Sequence, residues 1–287
     1  MTSNDTNAQH PPVGTFGIWA RGNDVSPAMA GRIEELGYGA LWIGGSPSDD
    51  LMHVERLLDA TSTITVATGI VNIWNTDPVR LAASYHRVAE RHPHRLLLGI
   101  GAGHPESSGP PATKPVTATV RYLDELDRAG VPGHDMVLAA LGPRMLALAR
   151  ERTAGAHPYL VTPRHTKTAR DILGPLPLLA PEQRVVLRAD PEEARAIGRP
   201  TIARPYLGLV NYRHNLERLG FTEEDLRPDG SDRLIDELVV YGDGRRIAER
   251  LHDHLEAGAD HVAIQLLHGE GDDPEADYEA LAALLAL

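Results

Sequence analysis

Several short stretches of this sequence combine residue types and spacings that suit ligand chemistry. Gly99-Ile100-Gly101-Ala102-Gly103-His104 places glycines at alternate positions, where missing side chains let a ligand or a neighbouring backbone come close. Written as GxGxG, it lacks the third glycine spacing of a dinucleotide fingerprint, and no helix pattern opens directly after it, so a dinucleotide fold is weakly indicated. A tight turn is the other reading. Ala140-Leu141-Gly142-Pro143 runs straight into a helix pattern with Arg144 in its first turn, which presents unpaired backbone N–H groups to an anion such as phosphate. An ordinary strand-to-helix turn would use the same residues. Pro163-Arg164-His165-Thr166-Lys167-Thr168-Ala169-Arg170 concentrates positive charge in an acidic chain, and suits a polyanion or a solvated helix face.

Fourteen histidines raise the question of a metal. His252 and His254 are two apart and His86 and His92 six apart, neither pair has the i, i+4 spacing of helical ligands, and there is no HExxH, so no metal is expected. His104 and His157 stand apart because each falls beside a strand end, where a group titrating near neutrality can supply or take a proton; a packed, hydrogen-bonded role is the alternative for His157. Trp19, Trp42 and Trp74 fall in or just after the first three strand patterns and suit either an aromatic pocket wall or the core.

These residues need elements to position them. From Val13 onward, short apolar runs alternate with amphipathic helical patterns, the grammar of a parallel sheet covered by helices. Val13–Trp19 reads as a strand, Ser26 and Pro27 as an N-cap and first helical residue, and Gly39–Ile43 as the second strand. Ile64–Val71 follows, then Asp77-Pro78 repeats the cap signature before Leu96–Gly101. Met136–Leu141, Tyr159–Val161, Val185–Leu187 and His261–Leu267 complete eight strand candidates, and residues 190–258 read as mostly helical and longer than one crossover needs. The expected fold is α/β, a (β/α)8 TIM barrel with an extra helical segment between strands seven and eight. A flexible tail at 1–12 is expected to precede a single domain at 13–287. In such a barrel the active site forms at the carboxyl ends of the strands.

Composition narrows the function. A chain of 287 residues with 42% hydrophobic content can bury a large core, and no apolar run is long enough for a membrane span. The start carries no secretion-signal pattern, so a cytoplasmic protein is expected. A net charge of −12 opposes binding to nucleic acid or to an anionic membrane. The absence of cysteine removes disulfides, thiolate metal sites and thiol nucleophiles.

The run Ile64–Pro78, the strand Arg95–Gly103, and the segments Ala139–Pro143, Gly155–Pro163, Val240–Asp243 and Gly258–Val262 together resemble the luciferase-like monooxygenase superfamily, and within it the oxidoreductases dependent on the deazaflavin coenzyme F420. The resemblance spans nearly the whole chain. It implies a ring bound at the carboxyl ends of the strands beside a cis peptide at Gly69-Ile70. It also implies that Asn72 and Gly101, Ala102 and Gly103 border that ring and that Ala140, Leu141, Gly142, Pro143 and Arg144 hold the phosphate. Trp19, Gly44 and Trp74 are the expected substrate-pocket residues. The implied activity is hydride transfer between F420 and a small organic substrate, in a homodimer, with His104 or His157 handling the proton. Gly44-Gly45 and His104 stand where the sugar-phosphate dehydrogenases of this superfamily carry an Asp-His pair and a Glu, so that substrate and its acid–base scheme are not implied. An FMN-dependent monooxygenase on the same fold is the first alternative, and a cofactor-free barrel acting as a binding or structural protein the second. A phosphosugar isomerase barrel would want a strand-end carboxylate base, which does not stand out.

Overall fold

The computed structural model describes residues 10–103 and 113–287, so residues 1–9 of the expected tail, and His104, lie outside the described residues. Ser26 and Asp77 cap their helices as their spacing predicts: the Ser26 hydroxyl accepts from Met29 N, Asp77 accepts from Val79 N and Arg80 N, and a proline opens each helix, Pro27–Glu35 and Pro78–Arg91. These and further helices alternate with parallel strands. The strands are β1 (Phe16–Arg21), β2 (Ala40–Gly44), β3 (Thr65–Thr68), β4 (Val71–Asn72), β5 (Leu96–Gly101) and β6 (Met136–Leu138). They continue with β7 (Gly155–Ala156), β8 (Leu178–Leu179), β9 (Glu182–Val186), β10 (Val239–Tyr241) and β11 (Val262–Leu266).

The strands pair in the order β10-β9-β11-β1-β2-β3-β5-β6-β7-β8, with β4 on β5. β8 and β9 are two stretches of one extended segment that closes the sheet on itself. On one side Ala180 N donates to Ala156 O (2.9 Å) and Glu182 N to Pro158 O (2.8 Å); on the other Asp260 N donates to Leu179 O and Ala263 N to Pro181 O, both at 2.9 Å. β3 and β4 are likewise one strand, interrupted at Gly69-Ile70, whose peptide is cis. The result is an α/β barrel, a curled parallel sheet flanked by helices.

The ring register places Trp19 beside Trp42, Trp42 beside Ala67, and Ala67 beside Leu97. These side chains cluster with Val137, Leu178, Ala180 and Ala263, whereas the alternating residues Ile18, Leu41, Ile43, Val66, Leu96 and Leu98 join the cluster that packs against the helices. Alanines at positions 40, 67, 180 and 263 leave room for the fully buried Trp42 indole, so the barrel interior is a packed core rather than a pore.

Two strands sit earlier than the apolar pattern predicts. The sixth forms at Gly155–Ala156, not Tyr159–Val161. Pro158 has no N–H to donate to a ladder, and Leu160 adopts φ +55°, so the expected strand residues become the loop beyond the strand. The seventh forms at Glu182–Val186, ahead of the expected Val185–Leu187, because its polar residues Glu182, Gln183 and Arg184 are buried and paired rather than excluded. The extra segment between strands seven and eight is helical, with helices Pro191–Ala203, Val210–Arg218 and Asp232–Leu238 built on a separate cluster that includes Ile202, Leu216, Phe221 and Leu234. Among the described residues, no helix is long and apolar enough to cross a membrane.

Candidate active site

A cavity of about 1060 Å³ opens at the carboxyl ends of the strands. β1 contributes Trp19 and Arg21, the β3–β4 interruption Gly69 and Ile70, β4 Asn72, and the chain after β5 Ala102 and Gly103. Ala139 to Gly142 enter after β6, His157 and Tyr159 after β7, Arg184 from β9, and Gln265 to His268 from the end of β11. The helical segment roofs it with Ile197, Thr201, Arg204, Tyr206 and His214.

The expected site residues divide into those that line this cavity and those that shape it. Trp19, Gly69, Ile70, Asn72, Ala102, Gly103, Ala140, Leu141, Gly142 and His157 line it. Gly99 and Gly101 serve strand packing: a Cβ on Gly99 would lie 1.8 Å from Thr68 O, and one on Gly101 2.9 Å from Ala139 Cβ. Gly103 has φ +54° and admits the Asn72 amide, 2.3 Å from where its Cβ would stand. Gly44 is buried beneath the Trp19 indole, whose nearest atom would be 2.1 Å from an added Cβ. Trp74 lies outside the lining, its Nε1 donating to Ala102 O at 2.5 Å. Pro143 and Arg144 are exposed at the start of a helix that no side chain caps. Behind that turn the buried His165 donates from Nε2 to Leu141 O (2.9 Å), and the Arg218 guanidinium comes within 3.9 Å of the Gly142 Cβ position. The basic run at 163–170 is structural in its arginines: Arg164 donates to Leu219 O, and Arg170 to Gly258 O, Gly174 O and Pro177 O. Lys167 is an exposed partner of Asp171.

At the cavity floor two tryptophans meet two histidines. Trp42 Nε1 donates to His261 Nε2 at 2.9 Å, and His261 Nδ1 lies 2.9 Å from Gly14 O. His157 is stacked on Trp42, with ring centroids 4.1 Å apart, and its Nδ1 lies 2.7 Å from Ala180 O. A carbonyl only accepts, so Nδ1 carries the hydrogen and Nε2 is bare in the neutral ring. Burial pushes His157 and His261 each down to about 4, which keeps both neutral. His157 Nε2 and Trp19 Nε1, by contrast, are buried with no partner among the described residues. An unpaired buried polar group costs about 1–3 kcal/mol, so an open acceptor and an open donor at a cavity wall mark a place for a ligand.

Sequence reasoning missed the cluster around Arg184. Its guanidinium is fully buried, faces the Tyr159 and Tyr206 rings at 5.5 and 5.0 Å, and donates to Thr201 O and Tyr159 Oη. Burial opposes its charge, but Tyr159 and Glu182 hold it as a cation. Burial pushes the Glu182 carboxyl up, against the pull of Arg184 and of Leu160 N, which donates to it at 2.9 Å. Tyr159 Oη donates onward to Gln265 Oε1 at 2.7 Å. The cluster fixes the wall formed by Tyr159 and Gln265. The signal that could have found it is three adjacent polar residues just ahead of a β-branched pair, a buried polar strand start. Nearer the rim, His268, Asp272 and Asp277 come within 4.8 Å of one another, but Asp272 is held by Arg188 and Gly269 N, and Asp277 by His268.

The luciferase-like monooxygenase family model matches residues 26–129. No curated protein matches the chain in sequence. Among solved structures, the barrel is similar to the coenzyme F420-dependent tetrahydromethanopterin reductase from Methanopyrus kandleri, with a TM-score of 0.76 and 17% identity over 95% of this chain and 98% of the other. It is similar to an F420-dependent secondary alcohol dehydrogenase solved with an F420–acetone adduct, with a TM-score of 0.71 and 14% identity over 95% and 99%. A third is a type II Baeyer–Villiger monooxygenase from Pseudomonas putida, solved with FMN, with a TM-score of 0.69 and 13% identity over 95% and 97%. At these identities the likeness is one of fold. Residues 26–129 are similar in sequence to the luciferase-like monooxygenase family, and beyond them the similarity to these solved structures is one of fold.

Proposed function

We propose that the cavity holds a flavin-type ring, first the deazaflavin coenzyme F420, and that the protein is an oxidoreductase moving a hydride between it and a small organic substrate. The observation that carries this is the floor of a large strand-end cavity, where the interrupted third strand lies beside a buried open donor on Trp19 and a buried open acceptor on His157. Gly69, Ile70, Asn72, Ala102 and Gly103 would border the ring. Ala140, Leu141, Gly142 and the uncapped helix start at Pro143, with Arg218 beside Gly142 and Arg144 at the rim, would hold the phosphate.

Bound there, the coenzyme supplies a two-electron hydride donor or acceptor. The chain's part is to orient it and keep water out. Trp19, Tyr159 and the roof residue Tyr206 give the cavity aromatic walls, with ring centroids 5.1 and 5.6 Å apart. His157 suits a fixed hydrogen-bonding role better than a proton shuttle, because a ring held at about 4 takes up little proton near neutral pH. FMN at the same place, in a monooxygenase, is the second reading, favoured by the fold shared with the FMN-bound enzyme. A homodimer is the assembly we propose, read by sedimentation.

Titrating the purified protein with F420 and with FMN, followed by ligand fluorescence, tests this. Saturable binding of F420 in preference to FMN is the expected result. Preference for FMN shifts the assignment to the second reading, and binding of neither overturns both.

A further inference from the structure

The barrel floor holds the same donor–acceptor combination twice, once closed and once open. Trp42 Nε1–H is satisfied by His261 Nε2 at 2.9 Å. Trp19 Nε1–H and His157 Nε2 have no partner among the described residues, though Trp19 is only 6% exposed and His157 1%. They come from different walls of the ring, the end of β1 and the residue after β7, and converge at Gly69. A Cβ there would be 2.7 Å from Trp19 Nε1 and 3.6 Å from His157 Nε2. Glycine at 69 thus keeps open a spot from which a single ligand reaches both atoms.

The required ligand follows from the atoms. It must offer an acceptor to the indole N–H and a donor to the imidazole lone pair, close together and without formal charge, since the histidine is neutral and both groups are desolvated. Trp42, stacked on His157, holds that ring in place from the core, and the ring of Tyr159, beside Trp19, leaves a planar wall for a group entering edge-on.

We propose, resting on the cofactor reading above, that Trp19 and His157 read the pyrimidinedione edge of the bound ring: Trp19 Nε1–H donates to a ring carbonyl and His157 Nε2 accepts the imide N–H. Flavins and 5-deazaflavins carry the same edge. The pair therefore secures the ring without choosing between the two coenzymes, and that choice falls to other residues.

The test compares binding of F420 and FMN with their N3-methyl derivatives, which lack the imide hydrogen, by fluorescence titration of the intact protein. Methylation is expected to weaken binding of whichever coenzyme binds by about tenfold to a hundredfold, as loss of a buried hydrogen bond that leaves its partner unpaired. Trp19→Phe and His157→Leu should each weaken the unmethylated coenzyme, leave the F420-to-FMN ratio unchanged, and, for His157→Leu, abolish the penalty for methylation. Equal binding of methylated and parent coenzyme by the unaltered protein overturns the proposal while leaving the cofactor reading in place, and assigns the two atoms to water or a substrate hydroxyl. Binding of neither parent overturns both. The wild-type comparison needs no variant to fold.

Discussion

His157, His254 and His261 are the residues whose protonation the fold refuses most strongly. Burial pushes them down to about 4, about 3 and about 4, respectively. In the unfolded chain each titrates near about 6.5. Below that pH the unfolded chain takes up protons that the folded chain does not, so stability is complete above about 6.5 and falls as the pH drops towards 4. The loss approaches about 1.4 kcal/mol per pH unit for each histidine. Urea midpoints measured from neutrality to about pH 5 should fall steadily, and a flat profile would show that these rings accept protons in place. Gly44 makes a second residue-scale prediction. A methyl group at Gly44→Ala would enter the Trp19 ring, so the variant should lose about 1–3 kcal/mol in urea unfolding and shift the near-ultraviolet circular dichroism of the indole. The sequence singled out His157 and Trp19 by their places beside strand ends. It did not reveal that their polar atoms stand open, because that depends on Ala180 O, brought in from another strand.

Among elements, legibility followed local chemistry. Ser26-Pro27 and Asp77-Pro78 announced their helices because a cap is made within a few residues. The alternate glycines after β5 were legible as a close approach but not as to what approaches: a neighbouring strand at Gly99 and a side chain at Gly103. Strand seven was displaced because an apolar pattern cannot anticipate a buried Glu182–Arg184 pair whose other contacts, Tyr159 and Thr201, come from distant segments. That pair carries the element-scale prediction. Arg184→Met leaves Glu182 buried without its cation and should destabilise the fold by about 3–5 kcal/mol, while Glu182→Gln in the same chain should restore much of the loss. A double-mutant cycle in urea checks it; additive losses would mean that the two side chains act independently.

For the whole molecule, the parallel alternation and the overlong connection before the last strand carried the barrel, which needs only a correct order of elements and tolerates boundary errors of a few residues. A ligand seated at the ends of all the strands should act on the whole unit. Saturating F420 or FMN at a hundred times its dissociation constant should stabilise the fold by about 2.7 kcal/mol and raise the melting temperature as a single transition. A rise in one of two resolved transitions would show instead that the roof unfolds apart from the ring.

The helical segment at 191–238 packs Ile202, Leu216, Phe221, Leu234 and Ile235 mainly on one another, and it contributes Ile197, Thr201, Arg204, Tyr206 and His214 to the cavity. Of the residues proposed to grip the coenzyme, Arg218 alone comes from this segment, and the others lie at the strand ends or just after them. On the proposed reading the coenzyme ring would be gripped by the strand ends while the roof faces whatever else enters the cavity, so the roof could drift in sequence, Arg218 apart, without rewriting that grip.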